Sequence, residues 1–258
     1  MAKIQWVDGP WKLIELPSAT KSPNDHPAYY IANEMAFAHN CMLRGLNAIY
    51  LQAPHIPPAD VPDFLFFIKS WGEWIAHHHH MEETMMFPGF ESIEGVAKGS
   101  LQGNVDQHHA FSGGLEAITA YATKTPAVEY SGIRVKGLCD AFGDALSEHL
   151  ADEISTLLAM DTVPHNTSAA SQLLAKYRES EAHARKQDKT VVPPMILGLC
   201  DKTFNGGNDW PKLPFGAAAI VHYVFGRKHA GSWRFLPCDT WRTPRTLMFL
   251  GEGNDSTG

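Results

Sequence analysis

Fourteen histidines stand in a chain of 258 residues, and histidine is the commonest metal ligand among side chains. Where they fall matters more than how many there are. Three His-x-x-x-Glu pairs occur: His78/Glu82, His79/Glu83 and His149/Glu153. On a helix, residues i and i+4 lie about 5–6 Å apart on one face. Each pair can therefore offer one imidazole nitrogen and one carboxylate to adjacent metal ions. Imidazole with carboxylate suits iron, manganese or zinc, and the lack of thiolate in such a set disfavours copper(I). The run His77-His78-His79-His80 sits inside the chain, between Trp74-Ile75 and Met81-Glu82. It is not a single ligand cluster, because four consecutive helical residues point in four directions.

Prolines mark out the elements that must hold these groups. Residues 1–26 read as an irregular arm punctuated by Pro10, Pro17 and Pro23. Helical patterns follow at about 27–52, ending at Pro54, and at about 63–87, ending at Pro88. Two more run at about 101–123, ending near Pro126, and at about 131–160, ending before Pro164. Strand alternation is weak, and four long helices with short connections predict an all-α, up-down four-helix bundle over residues 27–164. Residues 165–258 read as a partly helical C-terminal extension packed on it, with a charged, solvated stretch at 176–189 and short helices near 191–204 and 215–225.

Each helix has an apolar stripe at spacings of three and four, the inward seam of a bundle. The first carries His39, Leu43, Leu46 and Ile49; the second Phe64, Trp71, Trp74/Ile75, His78, Glu82 and Met85. The third carries Leu101, Val105, His108, Ser112, Leu115 and Ile118; the fourth Leu138, Phe142, Leu146, His149, Glu153 and Met160. One histidine therefore lies on every seam, and a glutamate follows it on two. An unpaired carboxylate is costly to bury, by several kcal/mol, so four imidazoles and two carboxylates on inward seams predict a cation between them. The expected ligands are His39, His78, Glu82, His108, His149 and Glu153. Two metal ions sharing two carboxylates would keep positions for water, hydroxide or dioxygen.

Other features set limits. The formal net charge is −7 and no basic cluster occurs, which argues against nucleic acid as the main partner. The longest apolar run, 215–225, contains His222 and is too short to span a bilayer. The first residues lack the apolar core of a signal peptide, and the four cysteines form no CxxC pair. A reducing, cytoplasmic location is expected. Nothing in the pattern predicts an oligomeric state.

The segment His78-His79-His80-Met81-Glu82-Glu83-Thr84-Met85-Met86-Phe87-Pro88 resembles the His-x-x-x-Glu-Glu-x-x-Leu-Phe-Pro signature of hemerythrin-like (HHE cation-binding) domains. His39-Asn40-Cys41-Met42-Leu43-Arg44 is similar to that family's first-helix motif, Gln107-His108-His109-Ala110-Phe111 to its third, and Glu148-His149-Leu150-Ala151-Asp152-Glu153 to its fourth. The resemblance spans about residues 27–160. The tail, with Asp209-Trp210-Pro211 and Trp233-Arg234-Phe235, is similar to that of fungal members. The resemblance implies two iron ions, bridged by water, hydroxide or oxo, with manganese or zinc as substitutes, and it implies the same six ligands. Oxygen carriers of the family have a second histidine on the third helix where Ser112 stands here, so one coordination position would be open. His79, Glu83 and Asp152 are candidates to support the ligands, with a solvated face as the first reading for His79 and Glu83. His222 and His229 read as packing or surface residues before ligands.

Two kinds of function are compatible with this pattern. One is an enzyme, a di-iron oxidase or oxygenase that activates dioxygen beside a small organic substrate. The other is a non-catalytic carrier, store or sensor of oxygen or iron. Ser112 and a tail long enough to line a pocket favour the enzyme.

Overall fold

The structure is a computed structural model and describes residues 6–250; residues 1–5 and 251–258, the outer ends of the expected arm and extension, lie outside the described residues. Four elements form the bundle: α1 (Pro27–Gln52), α2 (Val61–Met81), continued by a π-turn (Glu82–Met86) and α3 (Phe87–Glu91), then α4 (Gln102–Lys124), and finally α5 (Gly132–Asp140) with α6 (Gly143–Leu158). Helix α1 packs against α2 and α6, and α4 lies against α2 and α6. Among the described residues there is no strand, and the all-α bundle is as the seams predict. No helix among them is long and apolar enough to cross a membrane.

Helix α1 starts where its sequence allows. Pro27 occupies the first turn, where its missing N–H costs nothing, and the His26 ring caps it by accepting from the Ala28 N–H at 3.1 Å. Around its middle, residues 39–49 are buried on every side, as expected of a helix that is wrapped all round. Two of its asparagines tie down the arm. Asn40 accepts from the Ile14 N–H at 2.7 Å and donates to its carbonyl at 2.9 Å. Asn47 accepts from the Trp11 N–H and donates to the carbonyls of Val7 and Trp11. The irregular arm is thus held by side-chain amides in place of a ladder. Close contact of α1 with α2 depends on Gly45, where a Cβ would collide with the Trp71 ring.

Three departures from the sequence reading concern where helix two ends and which residues face the core. Helix two does not stop at Pro88: a π-turn, in which the Phe87 N–H bonds to the Glu82 carbonyl, admits one extra residue, and Pro88 falls in the first turn of α3. Met86 is buried and Met85 is only half-buried. Helix four is broken at residues 141–142, and Val135 and Cys139 are the buried face of α5 in place of Leu138. On α4 it is Phe111, 1% exposed, that points into the core, while Ser112 is half-buried.

The extension contains α7 (Ser168–Ala184), α8 (Val192–Leu199) and α9 (Ala217–Tyr223). Helix α7 lies against α1, α2 and the π-turn, and α8 lies against α1 and α2. The stretch 176–189, expected to be solvated, in part faces the protein: Tyr177 and Ser180 are buried, and Tyr177 meets Tyr30 of α1 edge to face. Trp233 and Phe235 join the core beside α2. The four cysteines are free thiols.

Candidate metal centre

The core comes in two apolar halves. One is built around Met42, Leu46, Trp71, Ile75, Leu115 and Leu146; the other around Met35, Met86, Phe87, Leu101, Leu157 and Met160. Between them lies a polar layer from all four bundle helices: His39, His78, His79, Glu82, His108, His149 and Glu153. His39, His149 and Glu153 are fully buried, and Glu82 is 2% exposed.

The outward ring nitrogens are held. His39 Nδ1 lies 2.7 Å from the Leu150 carbonyl, His108 Nδ1 2.6 Å from Glu83 Oε1, and His149 Nδ1 3.3 Å from Gln107 Oε1. Gln107 donates its amide N–H to Asp152 at 2.9 Å, which turns its carbonyl oxygen towards His149. With an acceptor at each Nδ1, each ring keeps its proton there and points an Nε2 lone pair inward. Partners of this kind fix tautomer and orientation in metal-binding histidines.

The inward atoms lack partners of their own. His39 Nε2, His78 Nε2, both nitrogens of His79, and both oxygens of Glu82 and of Glu153 are buried without a hydrogen bond. They are nevertheless close. His78 Nε2 is 2.7 Å from Glu82 Oε1 and His108 Nε2 is 3.6 Å from Glu82 Oε2. Glu153 Oε2 is 3.4 Å from His39 Nε2 and 3.7 Å from His149 Nε2. Donor atoms of His79, Glu82, His108 and His149 fall within 4.8 Å of one another, as do those of His39, His78 and Glu82. Glu82 belongs to both groups. Orphaned polar atoms at this density would cost several kcal/mol in an apolar interior, and a bound cation would remove that cost. The donor set fits iron, manganese or zinc.

Burial sets the charge states that a cation would meet. It lowers the imidazoles, His78 to about 4 and His149 to about 2, and takes His39 and His79 well below their ordinary value. Neutral rings with free lone pairs are the ligating form. Burial likewise raises Glu82 and Glu153 well above the usual carboxylate range, with the neighbouring Glu83 adding to the rise at Glu82 and Glu82 to that at Glu153.

The structure brings all six sequence-expected residues into this layer. It corrects the solvated reading of His79, which is 5% exposed and packs its ring against His108, His149 and Phe111. The signal was present at Ile75, His79, Glu82 and Met86, spaced four, three and four. Glu83 keeps a partly exposed side chain, at 35%, yet braces His108. Ser112 does not join the cluster; the Phe111 ring, 5.3 Å from that of His149, closes that side. His222 pairs with Thr240, and His229 stacks on Phe66.

Residues 31–160 match the Hemerythrin HHE cation binding domain, and the chain belongs to that family. It is also 35% identical, over 255 residues, to "Dimeric xanthone biosynthesis cluster protein R11" of Cryptosporiopsis sp. (strain 8999), a match covering 97% of this chain and 95% of that protein. No solved structure matches it.

Proposed function

We propose that this is a non-haem di-iron protein that binds dioxygen and uses it to oxidise a small organic molecule. The observation that carries this reading is the inward convergence of lone pairs and orphaned carboxylates in a layer sealed above and below by apolar core. His79, His108 and His149 would hold one ion, His39 and His78 the other, with Glu82 and Glu153 shared. Bound iron supplies an open Lewis-acid and redox centre. The chain itself supplies the rest: Leu150, Glu83 and Gln107 orient the rings, and the two apolar halves keep bulk water out. Glu82 and Glu153 would bind as carboxylates.

Reaction with a substrate, in preference to storage or carriage of oxygen, is supported by a cavity that reaches His78 and Glu82 from the side covered by the extension. The fungal relative's name ties it to a xanthone biosynthesis cluster, which favours a biosynthetic role here too. The test is metal analysis followed by stopped-flow mixing of the reduced protein with dioxygen. Two iron ions per chain and irreversible oxygen consumption are expected. Zinc alone or one metal per chain would overturn the di-iron reading. An oxygenated spectrum that reverses under vacuum would make the protein a carrier or sensor.

A further inference from the structure

A cavity of about 290 Å³ lies between the bundle and the extension, with His78 and Glu82 on its wall. That is near the lower end for a small-molecule site. Its sides come from α1, α2, the π-turn, α7, α8 and the loop at Trp210. The extension therefore supplies a wall that the bundle alone would lack.

The wall is aromatic and already rigid. Trp74, Tyr177 and Trp210 line it, together with the thioethers of Met35, Met81 and Met86. Methionine sulfur packs favourably on aromatic rings and adapts to irregular outlines. Trp210 is braced three ways: its ring stacks on Phe37 at 5.6 Å, its N–H donates to Glu34 at 3.0 Å, and its carbonyl accepts from Arg242 at 2.6 Å. A wall so fixed needs no ordering when a flat ring arrives, which lowers the cost of binding.

The wall outside the metal layer offers an anion little. Arg185 is the one Lys or Arg among the lining residues, against the carboxyl groups of Glu34 and Glu181. The cation on its rim, Arg185, is largely exposed and turned onto Glu181 at 3.6 Å. Burial raises the Glu34 carboxyl above its ordinary value, and its Oε2 accepts from the Trp210 N–H on the cavity wall. Glu34, His78 and Glu82 all line this one cavity, and about 290 Å³ has room for two fused six-membered rings.

We propose that this cavity binds an uncharged, planar phenol of at least two fused rings, with a hydroxyl on Glu34 and the opposite edge presented to His78 and Glu82. The inference rests on the reading of the His/Glu layer as a metal centre and names the substrate class that it serves. Calorimetric titration of the zinc-loaded protein, which cannot oxidise the probe, tests it. 2-Naphthol should bind one-to-one, and naphthalene-2-carboxylate and 1-decanol at least tenfold more weakly. Glu34→Leu should weaken 2-naphthol about tenfold, the loss of one buried hydrogen bond, with Glu34→Gln keeping most of the affinity. Ala184→Phe, a change on a half-buried wall position, should abolish binding. Absence of saturable 2-naphthol binding, or equal affinity for the carboxylate or the alcohol, would overturn the proposal. If zinc does not load but 2-naphthol binds with this preference, the metal reading falls and the cavity assignment stands; if zinc loads and 2-naphthol does not bind, the reverse holds.

Discussion

His108 and His149 bring their Nε2 atoms to 3.1 Å while the Nδ1 atom of each ring faces an acceptor on the far side, Glu83 for one and Gln107 for the other. Two lone pairs meeting at that distance repel unless a proton or a cation lies between them. Both imidazoles are pushed down by burial, and a cation placed there would satisfy both lone pairs. Metal uptake should therefore stabilise the fold strongly. A rise in Tm on adding ferrous iron anaerobically, growing with iron concentration up to two equivalents, is the expected outcome.

Metal-free protein should lose stability as its buried carboxyls ionise with rising pH. Glu82 and Glu153 titrate well above their ordinary 4.5 in the folded chain. The stability linked to a raised group is present below the unfolded value and lost as pH rises through the folded one. The histidines, lowered from 6.5, act oppositely: their contribution is present above 6.5 and lost as pH falls. The carboxyls therefore lower stability as they ionise above 4.5, while the histidine contribution is complete by 6.5. The Tm of metal-free protein should fall as Glu82 and Glu153 ionise, whereas that of loaded protein should not. Metal loading below the pH at which they ionise should release protons, measurable with a weakly buffered indicator dye.

Glu82 and Glu83 should separate cleanly by metal content. Glu82 belongs to both donor groups, so Glu82→Ala should leave less than one iron per chain. Glu83 acts through His108, and losing such a brace typically costs 10–100-fold in metal affinity. Glu83→Ala should therefore bind two iron ions at high concentration but lose them to a competing chelator sooner than the wild type.

His79 and His109 form a matched pair for testing which histidines face the layer. His79 is buried against His108 and His149, whereas His109, next to His108, is exposed. His79→Ala should lower bound iron, and His109→Ala should leave it unchanged, in elemental analysis of both proteins. Equal losses would mean that His79 is a packing residue.

Phe111 should matter more than Ser112. Its fully buried ring packs on His79, His108 and His149, and Phe→Ala in a core costs about 3–5 kcal/mol. Urea unfolding of Phe111→Ala should show that loss, while Ser112→Ala should stay within about 1 kcal/mol.

The bundle and most of its polar layer were legible in the chain because both follow from helical periodicity. His39, His78, His108 and His149 recur where apolar residues should, and a buried histidine or glutamate at such a place betrays itself by cost. Local sequence also set the α1 start, through His26 and Pro27. The breaks in the helices were not legible. The π-turn carries helix two past Pro88 into α3, and the chain breaks at 141–142 between α5 and α6. Neither interrupts the three-and-four spacing of the buried side chains, which runs Ile75, His79, Glu82, Met86 in one case and Val135, Cys139, Phe142, Leu146 in the other.

His79 marks the same boundary from the other side. Helical geometry allows His78 and His79 to flank one seam, and sequence spacing alone favoured His78. The tertiary structure admits both, since α4 and α6 close on one flank while the extension leaves a cavity on the other. Seam composition was thus a property of the sequence. The meeting of Nε2 atoms across helices, the bracing of His108 by Glu83, and a wall built by α7, α8 and Trp210 beside residues of α1, α2 and the π-turn far earlier in the chain were decided only by packing, because they join groups that no local period relates.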